Sequence, residues 1–281
     1  MITVDLTGNI GDQMTRYLLC RSIAEKNEYK WSINRKTSHD YYNGAEQMSF
    51  FDIDYGLPNN TPYGELPPGI TNIWTEKYEH YNTHDYHPYQ SDIFNIEDNT
   101  KLIVRCGHDA RYYNQDKVKE WLKIKEDLQL QYYYKLLAHG IDIKDDNLCI
   151  INCRGGEYRT VPSLFLEKNY WDNAIRHMLN RNPNMEFVVI TEDPTYFKTI
   201  FNCPVHHFSI GNDFYAVQQA KNLIISNSAF GIFSTWTNPN NPNVIAPKYW
   251  SRFNVSTGYW GNSDMFTFGW NFMDREGIIN G

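Results

Sequence analysis

Apolar and polar positions follow a different rhythm in each half of the chain. In the second half, four short apolar runs, at 147–153, 186–191, 222–226 and 243–246, are separated by segments long enough for helices. Uninterrupted apolar strands of this kind are typical of a parallel sheet covered by helices on both faces. The pattern predicts a doubly wound α/β domain over residues 146–281, with a linker at 141–146.

The first half has a weaker pattern. Residues 1–6 predict a strand that ends at a glycine turn, and residues 13–26 place apolar side chains on one helical face. Between 27 and 99 the chain is rich in Pro, Asn, Tyr and His, which predicts only short elements. A strand at 101–107 and helical stretches within 116–137 follow. We expect a second, less regular α/β domain over residues 1–145.

Composition narrows the function classes. The chain has 281 residues and a formal net charge of −7, so no general attraction to nucleic acid or an anionic membrane is expected. It shows neither a run of roughly 18 apolar residues nor a basic leader, so we expect no membrane span and no signal peptide. Its five cysteines are scattered and odd in number, which favours a reducing, cytoplasmic compartment.

Candidate chemistry follows two of the predicted strands. In doubly wound sheets ligands bind beyond the carboxyl ends of the strands. Arg154, Gly155 and Gly156 follow the first run, and a guanidinium beside glycines can hold a phosphate; alternatively, Arg154 pairs with a surface carboxylate. Asn227 and Ser228 follow the third run and precede a helical pattern, which suits either an anion site or an ordinary helix cap.

Five segments, in order, resemble the α-1,2-fucosyltransferases of glycosyltransferase family 11. The opening 8–17 (G-N-I-G-D-Q-M-T-R-Y) resembles G-G-L-G-N-Q-M-F-Q-Y, and 152–158 (N-C-R-G-G-E-Y) resembles H-V-R-R-G-D-Y. Segments 189–193 (V-I-T-E-D), 226–231 (S-N-S-A-F-G) and 244–250 (V-I-A-P-K-Y-W) are similar to F-x-S-D-D, N-S-S-F-S and V-I-A-P-K-x-W. The five segments are spread over most of the chain.

The resemblance implies a GT-B-like α/β fold of two Rossmann-like domains. The N-terminal domain would receive a glycan acceptor and the C-terminal domain would bind a GDP-sugar. The implied activity is inverting, needs no metal or other cofactor, and transfers L-fucose from GDP-fucose to a galactoside hydroxyl in α-1,2 linkage. The absence of an anchor further suggests a soluble enzyme of bacterial or viral type.

The resemblance also implies roles for individual residues. Arg154 would grip the β-phosphate of the donor, Asn227 and Ser228 would hold phosphate, and Asp213 would meet the guanine edge. Gly11 and Gln13 would face the donor from the opposite domain. The remaining implied donor contacts are Gly8, Asn152, Asp193 and Ser226. Glu157, the carboxylate nearest to Arg154 in sequence, is a candidate general base, or alternatively a group that holds Arg154 in place.

Four positions depart from the family pattern. Asn152 stands for its histidine, Gly155 for its second arginine, Glu157 for its aspartate and Asp12 for its asparagine. These departures leave two alternatives open. The chain could use another nucleotide sugar, or it could be an inactive protein that binds a nucleotide sugar or a glycan.

Two patterns could indicate a metal. Asp52-Ile53-Asp54 has the D-x-D spacing of metal-dependent glycosyltransferases, but it lies in a loop-rich stretch rather than after a nucleotide-binding strand. His80, His84 and His87, with Asp85, are more typical of a polar surface loop. We therefore predict no metal site. The aromatic stretch 259–270 could stack on acceptor sugars or pack on the core.

Overall fold

The protein forms two compact units, residues 1–123 and 124–281. The computed structural model describes residues 1–35, 47–81, 84–86, 88–107, 109–251, 253–255 and 267–280. The predicted domain boundary lies at 145/146, whereas the structure groups 124–145 with the second unit. The helix Glu126–Leu137 packs against the helix Ile210–Gln219, and this contact ties the segment to the second unit.

The first unit is an α/β unit with a parallel sheet, a sheet type that the sequence predicted only for the second unit. Its elements are β1 (Ile2–Asp5), α1 (Ile10–Lys26), β2 (Trp31–Asn34), β3 (Asn72–Thr75), β4 (Glu79–Tyr81), β5 (His84–Tyr86), β6 (Thr100–Ile103) and α2 (Gln115–Trp121), with 3₁₀ turns at Ser91–Asn95 and Ala110–Tyr112. Within the described residues, the sheet order is β2-β1-β6-β3 and all pairs are parallel. Strands β4 and β5 form a separate antiparallel hairpin. A strand was predicted at 101–107. The observed strand, β6, begins one residue earlier, at Thr100, and is shorter because it ends at Ile103.

The second unit is a larger and more regular α/β layer structure. Its elements are α3 (Glu126–Leu137), β7 (Leu148–Cys153), α4 (Lys168–Arg181), β8 (Glu186–Thr191), α5 (Pro194–Phe197), β9 (Val205–His206), α6 (Ile210–Gln219), β10 (Asn222–Ile225), α7 (Ala229–Trp236), β11 (Asn243–Pro247), β12 (Asn271–Met273) and β13 (Ile279–Asn280), with 3₁₀ turns at Gly156–Thr160 and Phe253–Val255. Over the described residues, the sheet order is β13-β12-β11-β10-β7-β8-β9, with only β13 antiparallel. The four strands predicted from apolar runs are β7, β8, β10 and β11.

The central strand β7 explains why this sheet forms. All of its residues are buried, and Cys149, Ile151 and Cys153 alternate onto one face, where they join a core with Tyr170 and Trp171 of α4. Burial of apolar surface on both faces is the main term that stabilises such a layer. Both cysteines are free and buried, so they serve as small apolar groups of this core. Since the strands flanking β7 are parallel to it, their carboxyl ends lie along one edge.

In the described part of the chain, no helix combines the length and the apolar character that a membrane crossing requires.

Candidate functional site

Arg154 lies where β7 ends, at the carboxyl edge of the sheet in the second unit. Its Nη1 donates to Oε1 of Glu192 at 2.8 Å, and its Nη2 donates to Oε1 of Glu157 at 2.7 Å. The side chain keeps 22% of its surface exposed. Burial lowers the pKa of Arg154, but the nearby Glu192, Tyr158 and Glu157 raise it by more. The pKa therefore lies above its ordinary value, and the guanidinium keeps its charge. A fixed cation therefore faces solvent at this edge.

The turn after Arg154 is closed by acidic side chains from the end of β8. The backbone N–H of Gly155 donates to Oε1 of Glu192 at 2.9 Å, and that of Gly156 donates to Oδ2 of Asp193 at 3.2 Å. Arg159 also donates to Oδ2 of Asp193, at 3.0 Å. Burial raises the pKa of Asp193, but the hydrogen bonds from Arg159, Gly156 and Tyr196 lower it by more. The pKa of this carboxyl therefore lies below its ordinary value. The turn is thus a small ion-pair network whose donors already point at negatively charged oxygens.

Gly155 fills a position that has no room for a side chain. A Cβ there would lie 2.7 Å from Cβ of Asp193 and 2.9 Å from Cε2 of Phe197. The backbone of the turn consequently approaches α5 closely. The second arginine of the family 11 motif that this segment resembles could not be accommodated here without moving α5. This departure from the family pattern is therefore a packing feature of this chain.

Asn152 lies one residue inside the strand end and is 5% exposed. Its Nδ2 donates to the carbonyl of Ile190 on β8 at 3.3 Å. Its Oδ1 faces α7 closely, since a Cβ on Gly231 would lie 2.8 Å from that oxygen. In this structure Asn152 links β7 to its two neighbours, β8 and α7. Its implied contact with a donor remains a prediction.

The segment that follows β10 is anchored by an amide. Nδ2 of Asn227 donates to the carbonyl of Leu164 at 2.8 Å and to that of Trp250, and its side chain is buried. The amide hydrogens thus hold two loops together, so any phosphate contact of Asn227 has to involve its backbone. Ser228 precedes α7, but its hydroxyl makes no capping hydrogen bond, so the side-chain cap that was one of the two alternatives for this segment is not formed. Oγ of Ser226 is buried and has no hydrogen-bond partner among the described residues.

Asp213 lies in the first turn of α6, and its carboxylate is already engaged. Oδ2 lies 2.6 Å from Nδ1 of His207, and Oδ1 accepts the backbone N–H of Phe208 at 3.0 Å. The carboxylate is 7% exposed, whereas the His207 side chain is 39% exposed. The hydrogen bond to Asp213 raises the pKa of His207, while burial raises the pKa of Asp213. The solvent-facing group at this end of β9 is therefore the imidazole, and guanine recognition by Asp213 stays a prediction.

The glycine turn of the first unit is a helix cap. Oδ1 of Asn9 accepts the N–H groups of Gly11 and Asp12, and Oδ2 of Asp12 accepts the N–H of Asn9, which is a reciprocal capping box for α1. Gly8 has a φ of +80°, which favours glycine. Nε2 of Gln13 donates to the carbonyl of Gly8 at 2.9 Å, and its buried Oε1 has no hydrogen-bond partner in the described residues. The turn accounts for Gly8 and Gly11 without a ligand, and their donor contacts remain predictions.

Three residues with these contacts were not predicted from the sequence: Glu192 and Arg159 of the Arg154 network, and His207, the partner of Asp213. Glu192 follows β8, which the apolar pattern predicts, so the rule that ligands lie beyond parallel strand ends would have found it. His207 follows β9, whose two residues give no pattern. Arg159 lies in the 3₁₀ turn Gly156–Thr160, which no periodicity indicates. Glu157 accepts a hydrogen bond from Arg154, which is the contact expected if its role is to hold Arg154 in place.

Of the two patterns that could indicate a metal, only Asp52-Ile53-Asp54 has side chains that the structure describes. Oδ1 of Asp54 accepts the N–H of Gly56 at 2.8 Å, which closes a turn in the first unit. Within the described ranges, no three His, Cys, Asp or Glu side chains form a group that could hold a metal ion. His87 lies outside the described residues, as do the side chains of His80, His84 and Asp85. Of the aromatic stretch, 259–266 lie outside them, and Trp270 is buried.

No protein-family model matches the chain, and no curated protein is similar to it in sequence. Solved structures share its fold. A crystal structure of POFUT1 in complex with GDP is similar with a TM-score of 0.50 and 7% identity, covering 87% of this chain and 97% of that one. The fucosyltransferase NodZ from Bradyrhizobium is similar with a TM-score of 0.46 and 12% identity, covering 86% and 96%. The expected GT-B-like α/β fold is confirmed, because the likeness to POFUT1 extends over almost the whole of both chains.

Proposed function

We propose that the protein is an inverting, metal-independent glycosyltransferase that transfers L-fucose from GDP-fucose to a galactoside hydroxyl in α-1,2 linkage. The observation that carries the proposal is the guanidinium of Arg154 at the carboxyl end of β7, at the position where the family motif has its phosphate-binding arginine. The GT-B-like fold supports it, as does the GDP in the similar POFUT1 structure. The five segments that resemble family 11 favour the sugar and the linkage.

Glycosyl transfer places negative charge on the departing diphosphate, and fixed donors stabilise that charge. Arg154 would be the main donor. Its two carboxylate partners differ in exposure, because the Glu157 side chain is 56% exposed and that of Glu192 is 33% exposed. Exposed ion pairs contribute roughly 1 kcal/mol or less, so a diphosphate can replace Glu157 at small cost. Glu192 would continue to orient the guanidinium.

The segment after β10 would supply the remaining phosphate contacts. The first N–H groups of an α-helix have no intrahelical partner, and those of α7 begin at Ala229. A buried hydroxyl without a partner costs about 1 to 3 kcal/mol, and a phosphate oxygen would give Oγ of Ser226 an acceptor. These two features support a diphosphate site formed by this segment and Arg154.

Glu157 would act as the general base. Once a diphosphate replaces it on Arg154, its carboxylate is free to accept the proton of the acceptor hydroxyl. The proton leaves the hydroxyl as its oxygen forms the bond to the anomeric carbon of the sugar, and the bond to the diphosphate breaks. Each step uses groups of the second unit and of the two substrates.

A second candidate function is a protein that keeps nucleotide-sugar or glycan binding without catalysis. The observation that favours it is the tight contact of Gly155 with α5, which excludes the second arginine of the family motif. Because this chain has Gly155 in place of that second arginine, less positive charge would face the departing diphosphate. A donor other than GDP-fucose is a further candidate within the enzyme class.

A GDP-release assay with purified protein, GDP-fucose and a panel of galactosides tests the proposal. We expect turnover with at least one galactoside. We expect Arg154→Ala to lower kcat at least about a hundredfold, because loss of one such donor costs about 3 kcal/mol in the transition state. The control is Arg176→Ala, which removes an exposed arginine of α4 in the same unit and should leave turnover unchanged.

Near-normal turnover of Arg154→Ala would contradict the assignment of the phosphate site. Donor binding without turnover for any acceptor would favour the binding protein. Turnover with a different nucleotide sugar in place of GDP-fucose would correct the donor. Product linkage, determined by NMR of the purified glycan, decides between the α-1,2 bond and other bonds.

A further inference from the structure

A pocket of about 470 Å³ lies between helices α3 and α6 of the second unit. Its position relative to the strands sets it apart from the Arg154 network. Lys144 precedes β7, Lys221 precedes β10 and Asn240 precedes β11, and all three residues line the pocket. Because β7, β10 and β11 are parallel, these residues mark the amino edge of the sheet. Arg154 lies at the carboxyl edge of the same sheet, so the pocket is a separate site.

The two helices present the pocket lining with regular spacing. From α3 come Glu126, Gln129, Leu130 and Tyr133, which are spaced i, i+3, i+4 and i+7 and therefore form one stripe. From α6 come Tyr215 and Gln219, four residues apart. Together the two helices contribute two tyrosine rings, two carboxamides, Leu130 and the carboxylate of Glu126 to the lining.

The carboxamides of the pocket are held by their nitrogen atoms. Nε2 of Gln129 donates to the carbonyl of Ile124 at 2.9 Å, and Nδ2 of Asn240 donates to the carbonyl of Gln219 at 2.8 Å. Nε2 of Gln219 lies 3.4 Å from Oε1 of Gln218. In the part of the chain that the structure describes, the amide oxygens of Gln129, Gln219 and Asn240 have no hydrogen-bond donor. They are fixed acceptors that suit a ligand with several hydroxyl groups.

The charges of the pocket do not suit a phosphorylated ligand. Nζ of Lys221 donates to the carbonyl of Lys144 at 2.7 Å and pairs with Asp146. Nζ of Lys144 lies 4.6 Å from the ring centroid of Tyr133. The carboxylates of Glu126 and Asp146 balance the two ammonium groups, so the pocket carries no net positive charge. A neutral ligand fits this electrostatic environment better than an anion does.

The rings provide the apolar surface that such a ligand needs. The electron-rich face of an aromatic ring attracts the weakly positive C–H groups of a sugar ring. Tyr133 and Tyr215 line the pocket together with Leu130, and Tyr215 is fixed by the ring of Tyr132, whose centroid lies 5.9 Å away. The volume falls within the range of roughly 300 to 1,000 Å³ that is usual for ligand sites. We propose that this α3–α6 pocket is an accessory site that binds a neutral saccharide.

Ligand-observed saturation-transfer NMR tests the proposal with the full chain. The probes are galactose, lactose, N-acetylglucosamine and chitobiose, each without nucleotide. The variants are Tyr133→Ala and Gln219→Leu, and the matched control is Gln131→Leu, which makes the same exchange at an exposed position of α3 outside the pocket lining. We expect at least one probe to bind wild type and Gln131→Leu equally. Its affinity should fall at least about tenfold in the two pocket variants, as a lost buried contact of roughly 1.4 kcal/mol implies.

The result that would overturn the proposal is saturation transfer that persists in Tyr133→Ala and Gln219→Leu, or that is absent for every probe with the wild type. Circular-dichroism melting of each variant distinguishes lost binding from lost structure, and Gln219→Leu, which keeps the ring of Tyr133, supplies a second reading if Tyr133→Ala is unstable. Repeating the titration in Arg154→Ala separates this site from the proposed function. The saccharide signal should remain there even if GDP binding is lost.

Discussion

Glu157 has two possible tasks at the residue scale, and kinetics distinguish them. It pairs with Arg154 at 2.7 Å, yet more than half of its side chain is exposed. If it is the general base, Glu157→Gln should lower kcat by roughly 10² to 10⁴ and leave the donor KM within a few-fold, because the amide cannot accept a proton. If it only holds Arg154, the donor KM should change instead. Steady-state kinetics with varied donor and acceptor provide the measurement.

The control for Glu157 is its counterpart on the other side of Arg154. Glu192→Gln removes the charge that orients Nη1 and the N–H of Gly155. We expect this variant to raise the donor KM more than it lowers kcat, since it acts through Arg154. An unchanged kcat in Glu157→Gln would contradict the assignment of the base.

The raised pKa of His207 makes the stability of the protein depend on pH. The hydrogen bond to Asp213 raises the pKa of His207 above its usual 6.5 or so, so its contribution to stability is complete below that pH and is lost as the pH rises through the folded-state value. Burial raises the pKa of Asp213 as well, which also favours the folded protein at lower pH. The free energy of unfolding should therefore fall with increasing pH.

Urea unfolding of the wild type and of His207→Gln, from about pH 5.5 to about pH 8.5, measures this dependence. His207 is partly exposed, so the change should amount to roughly 1 kcal/mol or less. The variant should show a flatter dependence over the same range. Equal slopes for the two proteins would show that the pair does not contribute.

At the element scale, the loop after β10 depends on one amide. Asn227→Ala removes two hydrogen bonds, one buried and one partly buried, and leaves the carbonyls of Trp250 and Leu164 without this donor. We expect it to lower the free energy of unfolding by about 2 to 3 kcal/mol, because each unsatisfied buried group costs about 1 kcal/mol or more. Chemical denaturation measures the loss.

Ser228→Ala is the matched control for Asn227→Ala. Its hydroxyl makes no capping bond to α7, so stability should change by less than about 0.5 kcal/mol. Equal losses in the two variants would mean that the segment is held by its backbone rather than by the amide of Asn227.

The apolar pattern predicted the sheet of the second unit because its strands are buried on both faces. Strands β7, β8, β10 and β11 fall on the four apolar runs, whereas β9 has only two residues and no readable pattern. The motif also indicated Arg154. It could not indicate the pairing of Arg154 with Glu192, since that pairing depends on which strand ends become neighbours. The tasks of Asn152 and Asn227 depend on carbonyls that are distant in sequence, and no spacing encodes them.

At the scale of the whole molecule, a net charge of −7 makes local cations decide which anion binds. Ligand binding to the folded state alone stabilises it by about 2.7 kcal/mol at a hundredfold excess over Kd. For a domain of the size of the second unit, residues 124–281, that corresponds to a rise in Tm of roughly 5 to 10 °C. If Arg154 and the segment after β10 form a guanosine diphosphate site, GDP should produce this rise in a thermal-shift assay. UDP, TDP and CMP should produce smaller shifts, because they lack the guanine base and CMP also lacks the second phosphate.

Arg154→Ala should lose the response to GDP, while Arg176→Ala should keep it. A rise with UDP as large as that with GDP would contradict guanine selectivity, and an undiminished rise in Arg154→Ala would place the diphosphate elsewhere.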